Sequence, residues 1–539
     1  MNARRAIPVA QPNLVDRVVS YFSPSAGLAR MEARTRLGIA GAYAGARSDR
    51  AATKNWHASR GSANADLEWD REELTARGRD LVRNNPLAAG ATGTMVTYTV
   101  GTGLWPQPQI DREMLGLSEE EADALELEMD RWWAAWVEGR NCDVQRRLTF
   151  QQMQALAFRS WLESGDVFAV RRYKERAGLL FGFCLQLVEA DRVRTPTEFL
   201  ADRRVVEGIR FDADGEPLSY FVAREHPGDN ALVPPDEYEE LPAFDGETGE
   251  WIVLHLLDML RPDQARGVTF LYPVVEALRT LGEYADAEAD AAVINALFTV
   301  FVRSTAPPEA DEETGLPTDP AGDAAGAAGP GASVRSAVKL GKGSVVELDE
   351  GEDITIAESK RPSVNFGPFV EAFTTHIAMA TGLPYEVLIG RFLASYSASR
   401  ASLLQAWRMI FCRRFTLAET FLNPVREAVI SEAVARGYLR APGFFTSPLR
   451  RRAYLGCRWI GDPPGQLDPM KEGKAAELRV GNGFSTRSQE TLEMNGGDFR
   501  RNVQQLAREN RLMADAGITP VTSSAPAAGA EPPARAEEE

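Results

Sequence analysis

"LYPVVEALRTLGEYADAEADAAVINALFTVFVR", residues 271–303, is where the chain changes period. Ahead of it, short apolar runs alternate with turn residues. Through it, apolar positions recur every three or four residues, and Pro273 stands near the first turn, where its missing N–H costs nothing. The pattern predicts one long helix over 271–303. Its middle is rich in alanine and acid: Glu283, Asp286, Glu288 and Asp290. Small side chains let a neighbouring helix approach closely. The acids read either as a solvated face or as the lining of a negatively charged channel.

Upstream, residues 166–258 carry the runs "DVFAVRRY", "LLFGFCLQLV", "VVEGIRF", "PLSYFVAR" and "WIVLHLL", separated by turns at 212–215 and 227–229. Short β-branched and aromatic runs of this kind predict strands. Further upstream the pattern is helical. Residues 71–84 form one helix with Leu74 and Leu81 among charges, and Asn84, Asn85 and Pro86 stop or restart it. Leu87–Val100 suits a buried element. Ser118–Gly139 opens on a capping box, Ser118 with Glu121, and places Trp132, Trp133 and Trp136 at helical spacing. Thr149–Glu163 is a further amphipathic helix.

Downstream, residues 304–342 are rich in Pro, Gly, Ala and Asp, a composition that predicts disorder. "SVVELDEGEDITIAE" restores strand character, and Phe366–Ala380 reads as helix. "SYSASRASLLQAWR", 395–408, leads into a helix over 400–436, capped by Ser397 or Ser399 and broken or kinked at Pro424. Residues 468–515 are helical, with breaks at 481–483 and 495–497. The basic N-terminal stretch and the tail from Ala516 read as poorly ordered.

The bulk numbers exclude several functions. With 60 Lys and Arg against 77 Asp and Glu, the net charge of −17 argues against a broad nucleic-acid grip, because phosphate neutralisation needs cations. Four scattered cysteines form no CxxC pair, so neither a disulfide framework nor a zinc site is expected, and a reducing compartment is. The four histidines are scattered and read as ordinary buried or surface residues. No signal peptide is expected, and Val293–Val302 is too short to span a bilayer.

No catalytic motif stands up. "GKGS" at 341–344 has Ser336 where a P-loop needs its first glycine and Gly343 where the magnesium-binding hydroxyl belongs. "GNG" at 481–483 is not a dinucleotide fingerprint. The serines of 395–408 have no histidine between them and the C-terminus. They read as helix capping first, phosphate contact second. No catalytic residue, metal site or cofactor is expected.

Three blocks carry a family resemblance. They are "RDLVRNNPLAAGATGTMVTYTVGTGLWPQPQID" (79–111), "GLPYEVLIGRFLASYSASRASLLQAWR" (382–408) with "NPVREAVISEAVARG" after it, and "RWIGDPPGQLDPMKEGKAAELRVGNGFSTRSQETLEMNGGDFRRNVQQLARE" (458–509). Over about residues 40–515 the chain resembles the lambda-like portal proteins of tailed bacteriophages. The family's tyrosine-serine-serine run stands here as Tyr396, Ser397 and Ala398, with Ser395 in place of asparagine.

The resemblance implies an α+β portal fold of wing, stem, clip and crown, assembled as a ring typically of twelve. It implies a disordered basic arm over 1–39 and a wing over 40–148, continued over 304–403 around the 304–342 insertion. Stem helices would be 149–163 and 266–303, with the β-rich clip over 164–265 between them. The helical crown side would be 404–515 and a disordered tail 516–539. A tunnel loop over 354–367 would bring Lys360, Arg361, Ser363 and Asn365 to DNA, and Glu283, Asp286 and Asp290 would line the channel. The implied partners are further copies of the chain, double-stranded DNA, the terminase large subunit, a major capsid or scaffold protein and a head–tail connector, with no membrane. The implied location is the capsid portal vertex of the virion, with the host cytoplasm during assembly. The alternatives are a packaging-associated ATPase or hydrolase, or another structural protein of the virion.

Overall fold

The computed structural model describes residues 14–30, 55–229, 237–296, 300–304, 352–356, 366–392, 395–466 and 468–518. The chain divides into two units, Met1–Asp66 and Leu67–Glu539. The first holds helix α1 (Leu14–Phe22) and a helical α2 over 24–30. Part of the expected disordered arm is therefore helical, because Val15, Val18 and Val19 recur at helix spacing. A short α3 (Ala63–Leu67) spans the division.

The second unit opens with α4 (Arg71–Asn84) and α5 (Pro86–Thr99), which meet at Asn85. The Asn85 side chain accepts from the backbone N–H groups of Leu87 and Ala88 at 3.0 and 3.2 Å, so the expected restart is an N-cap followed by proline. Strand β1 (Trp105–Pro108) and the short α6 (Arg112–Leu115) lead to α7 (Glu119–Val137). The Ser118–Glu121 capping box forms in both directions. Helix α8 (Phe150–Ser164) has a second box, Thr149 with Gln152.

Trp133 and Trp136 are buried with Phe150, Phe158, Trp161 and Phe421 in the main core. Trp136 stacks on Phe183 at 5.4 Å and donates its indole N–H to the Phe183 carbonyl at 3.0 Å. Trp132 lies off that face and stacks on Tyr438 at 5.0 Å. Truncating any one of the core aromatics would cost roughly 3–5 kcal/mol.

The β-rich region forms two antiparallel sheets. In the first, β2 (Asp166–Tyr173) runs between β3 (Phe183–Glu189) and β8 (Val253–Leu257). The second has the order β4 (Val205–Val206), β5 (Ile209–Phe211), β6 (Pro217–Ala223), β7 (Tyr238–Pro242). Alternation along β2 explains its unbroken apolar run. Val167 and Ala169 face the helical core, while Phe168 and Val170 face a smaller core shared with Ile209, Tyr220, Val222 and Leu241 of the second sheet. A strand covered on both faces loses its polar positions. The molecule thus has three layers here: helices, sheet, sheet.

The run "YEELP" of strand β7 does not read as a strand. Its glutamates mask it, and they are answered by arginines across the sheet surface: Glu239 by Arg172 and Glu240 by Arg210.

Two expectations need correction. The helix foreseen over 271–303 is α9 (Val275–Ala296), and strand β9 (Val300–Ser304) follows it. β9 pairs antiparallel with β10 (Glu352–Ile356), from Glu352↔Ser304 to Ile356↔Val300. Local apolar periodicity could not tell a helix continuation from a strand whose partner lies some fifty residues on in the sequence. The expected insertion falls between these two strands, in residues outside those described.

The second correction concerns the opening serines of 395–408. After α10 (Phe366–Thr381) and α11 (Tyr385–Ile389), helix α12 spans Tyr396–Leu417, with Ser395 at the N-cap position and no side-chain cap bond from it. Ser397 and Ser399 lie inside the first turns rather than ahead of them. The break foreseen at Pro424 is a π-helical turn (Ala418–Leu422) leading into α13 (Asn423–Ala435). Proline cannot donate to the preceding turn, and a π-turn is one way a continuous helix absorbs that.

Helix α14 (Pro448–Leu455) and β11 (Cys457–Ile460), which pairs with β1, precede α15 (Pro469–Gly481), α16 (Arg487–Asn495) and α17 (Phe499–Asp515). No helix of the described residues is long and apolar enough to cross a membrane.

Candidate functional site

The chain enters the two-sheet layer through Ser164–Asp166 and leaves it through Ala265–Gly267, and these two segments cross in contact. Gly165 has φ +91°, and a Cβ on it would strike the Val268 backbone. A Cβ on Gly267 would strike the Gly165 carbonyl oxygen. Only glycine leaves room for two backbones this close.

Charge locks the crossing. Asp166 is fully buried and accepts from Arg266 twice, Nε at 2.5 Å and Nη2 at 3.1 Å, and from the Gly267 N–H at 3.2 Å. His255 Nε2 lies 3.1 Å from the same carboxylate. The remaining N–H groups of Arg266 reach the carbonyls of Val193 (2.8 Å), Glu207 (2.9 Å) and Ala190 (2.8 Å). All five guanidinium donors are used. One side chain stitches β2, the segment after β3 and the β4–β5 turn to the exit segment, Ala265–Gly267.

A second pair braces the first. Glu207 and Gly208, both at positive φ, make the two-residue turn between β4 and β5. The Glu207 carboxylate receives Arg71 Nε at 3.0 Å and Nη2 at 2.7 Å. Helix α4 buries Arg71, Thr75 and Gly78 against this junction, while Leu74 and Leu81 are half-buried. Thr75 Oγ1 donates to the Ser164 carbonyl at 3.3 Å. Gly78 lets α4 lie directly against Glu163 and Thr269.

The electrostatics follow from this geometry. Burial by itself would raise the Asp166 carboxyl, but the Arg266 guanidinium and the His255 hydrogen bond outweigh it and hold the group well below the usual carboxylate range. Burial pushes His255 down, and the positive charges of Arg266 and Arg71 oppose its protonation, so it is held neutral despite the neighbouring Asp166. Asp166 and Arg266 at the centre of the arrangement are buried, as a structural lock requires. The arrangement fixes how the sheets hang from α4, α8 and α9.

The expected channel acids lie elsewhere, on α9. Glu283, Asp286 and Asp290 are exposed at i, i+3 and i+7, and so share one face. Glu276 extends that face and Arg279 interrupts it, pairing with Glu283 at 2.8 Å. Glu288 is excluded from the face, being buried. The opposite side of α9 packs inward: Leu278 and Leu281 are buried beside Glu288, and Tyr284 packs on Phe369 at 4.6 Å. The other helix implied as stem, α8, packs one face into the main core and leaves Gln152 and Leu156 exposed on the other.

Lys360, Arg361, Ser363 and Asn365 lie outside the described residues. The ends of their stretch are fixed: β10 stops at Ile356 and α10 starts at Phe366, so the expected loop over 354–367 gives up both ends to regular structure.

Glu189, Asp191 and His226 converge closely enough to hold a metal ion. Arg79 already occupies the place of a cation there, 3.1 Å from Glu189 and paired with Asp191.

Comparison with known proteins gives a consistent result. The family model described as phage portal protein, lambda family, matches residues 49–414. Portal protein B of Escherichia phage lambda is 25% identical over 485 residues, covering 87% of this chain and 89% of that protein. The portal protein of Escherichia phage N15 is 25% identical over 481 residues, with the same coverage of each chain. Among solved structures, a chain from the neck of a native gene transfer agent particle aligns over 79% of this chain and 92% of its own, at 15% identity and a TM-score of 0.40.

Proposed function

The chain belongs to the lambda family of phage portal proteins, and from that premise we propose that its copies close into a ring at one capsid vertex and form the channel for DNA packaging and ejection. The observation that carries this reading is the exposed acidic face of α9, with Glu276, Glu283, Asp286 and Asp290 on one side of a helix packed by its other side. Turned toward a tunnel, such a face repels phosphate and keeps the duplex off the wall. A passage must not hold what it passes, because each phosphate contact adds to a sequence-independent grip. A ring of about twelve copies would multiply the −17 of one chain in proportion.

In this reading the two sheets (164–265) are the clip and α9 belongs to the stem. The helical region over 404–515 forms the crown side, and α8 is the other stem helix, with one face packed into the main core. Lys360, Arg361, Ser363 and Asn365, between β10 and α10, are the expected weak contact with passing DNA. The motor is a separate terminase, and a capsid or scaffold protein and a head–tail connector dock on the ring. No catalytic role is assigned to the chain. The junction supports a mechanical part: a clip hung on two crossed backbones needs a lock that does not slip as DNA moves.

Negative-stain microscopy of the purified chain tests this. Rings with a central hole of duplex width are the expected outcome. Isolated particles, rods or sheets under capsid-assembly conditions would refute the reading, and robust ATP hydrolysis by the chain alone would favour an enzyme instead.

A further inference from the structure

A cavity of 660 Å³ opens between the loop before β8, helix α13 and helix α14. Four arginines line it, Arg171, Arg426, Arg451 and Arg452, against two carboxylates, Glu250 and Glu427. In a chain of net charge −17, a concentration of positive charge in a concave place is unusual.

The pairing within the cavity is lopsided. Glu250 is taken by Arg171 and Arg451, each at 2.6 Å, and Glu427 by Arg451 at 2.9 Å. Both carboxylates are thereby consumed by two of the arginines. Arg426 is 2% exposed, yet among the described residues no carboxylate pairs with it. Its guanidinium donates to the Leu455 carbonyl at 2.8 Å and otherwise meets only the Met129 sulfur at 4.0 Å. Arg452 is exposed at the rim and, among the described residues, makes no ion pair. Asp130 feels the Arg426 charge but is itself paired with Arg501 at 2.7 Å, so this buried guanidinium is only partly compensated. An anion entering the cavity would meet a positive charge without an ion pair at the mouth, Arg452, and a partly compensated one inside, Arg426.

Size and lining narrow the ligand. A water molecule occupies about 30 Å³, so a lone phosphate would leave most of the space unfilled. Phe244, Trp251 and Pro448 supply an apolar wall beside the arginines. We propose that this cavity is an oxyanion-binding site, and that its natural ligand is a carboxylate or phosphate group carried on a larger molecule whose skeleton covers the apolar wall.

Calorimetric titration of the full chain at low salt tests this, with triglutamate and inorganic phosphate as separate probes. Triglutamate is expected to bind more tightly than phosphate, and both to weaken at least about tenfold in Arg452→Glu, a rim change that leaves the core intact. Arg426→Met should abolish binding, with Arg452→Glu as the safeguard if that variant misfolds. Arg77→Glu, on the exposed face of α4, changes net charge equally and should leave binding untouched. Phosphate binding as tight as triglutamate would overturn the carried-ligand part. No binding, or equal loss in Arg77→Glu and Arg452→Glu, would overturn the site.

Discussion

The junction at Asp166 and the outer face of α9 use the same kinds of side chain to opposite effect. At the junction one carboxylate, one guanidinium and one imidazole are sealed from water, and every donor of Arg266 has a named acceptor. On α9 several carboxylates stand in solvent with one arginine among them. A dry charge acts through its nearest atoms and so specifies geometry. A wet charge is screened within about 8–10 Å and acts only through its sum with others. The first kind holds a fold together. The second sets what the surface repels.

The comparison breaks most visibly if the junction is touched. Asp166→Ala leaves Arg266 buried without its carboxylate and should destabilise the protein by roughly 3–5 kcal/mol in denaturant unfolding. Gly267→Ala should be comparably damaging, because neither backbone at the crossing can retreat from the added methyl. A loss under about 1 kcal/mol in both would mean that the crossing is not a lock.

A subtler effect comes from His255. Its folded-state pKa is depressed, so the unfolded chain takes up the proton first, and stability falls as pH drops below the ordinary histidine value of about 6.5. Asp166, also depressed, adds its loss only at lower pH, below the ordinary carboxylate value of about 3.9. Melting temperature followed from pH 7 to pH 5 should therefore decline more steeply in the native chain than in His255→Gln. Parallel curves would show that the imidazole is not held neutral.

The smallest effect on stability, and the sharpest contrast, belongs to α9. Asp286→Asn with Asp290→Asn should shift unfolding free energy by no more than about 0.5 kcal/mol, as expected of solvated charges. The same pair should slow DNA packaging in an assembly assay if that face lines the channel. Unaltered packaging would move the acids back to an ordinary solvated surface.

Much of this was legible along the chain because its causes are local. The Ser118–Glu121 box, the restart at Asn85–Pro86 and the break near Pro424 each depend on residues within a few positions of one another. The acidic stripe of α9 was legible for the same reason, as periodicity alone puts Glu283, Asp286 and Asp290 together. Glu288 lies in the same run but was placed inside by what packs on the helix, which no spacing rule states. β9 failed as a strand in the reading because its partner, β10, is remote. The junction left almost no trace. Asp166, His255 and Arg266 look like three ordinary polar residues, and only the flanking glycines at 165 and 267 hinted that backbones meet there.

Sequence alone settled most of the helices, the Ser118 box, the restart at Asn85–Pro86, the excess of negative charge and the family. Those depend on short-range sterics, hydrogen bonds within a turn, and composition. Tertiary structure alone decided which charges are sealed and which are free, because burial is a property of what arrives from elsewhere in the chain. That is why Asp166 became a keystone while Asp286, the same residue type, remained in water.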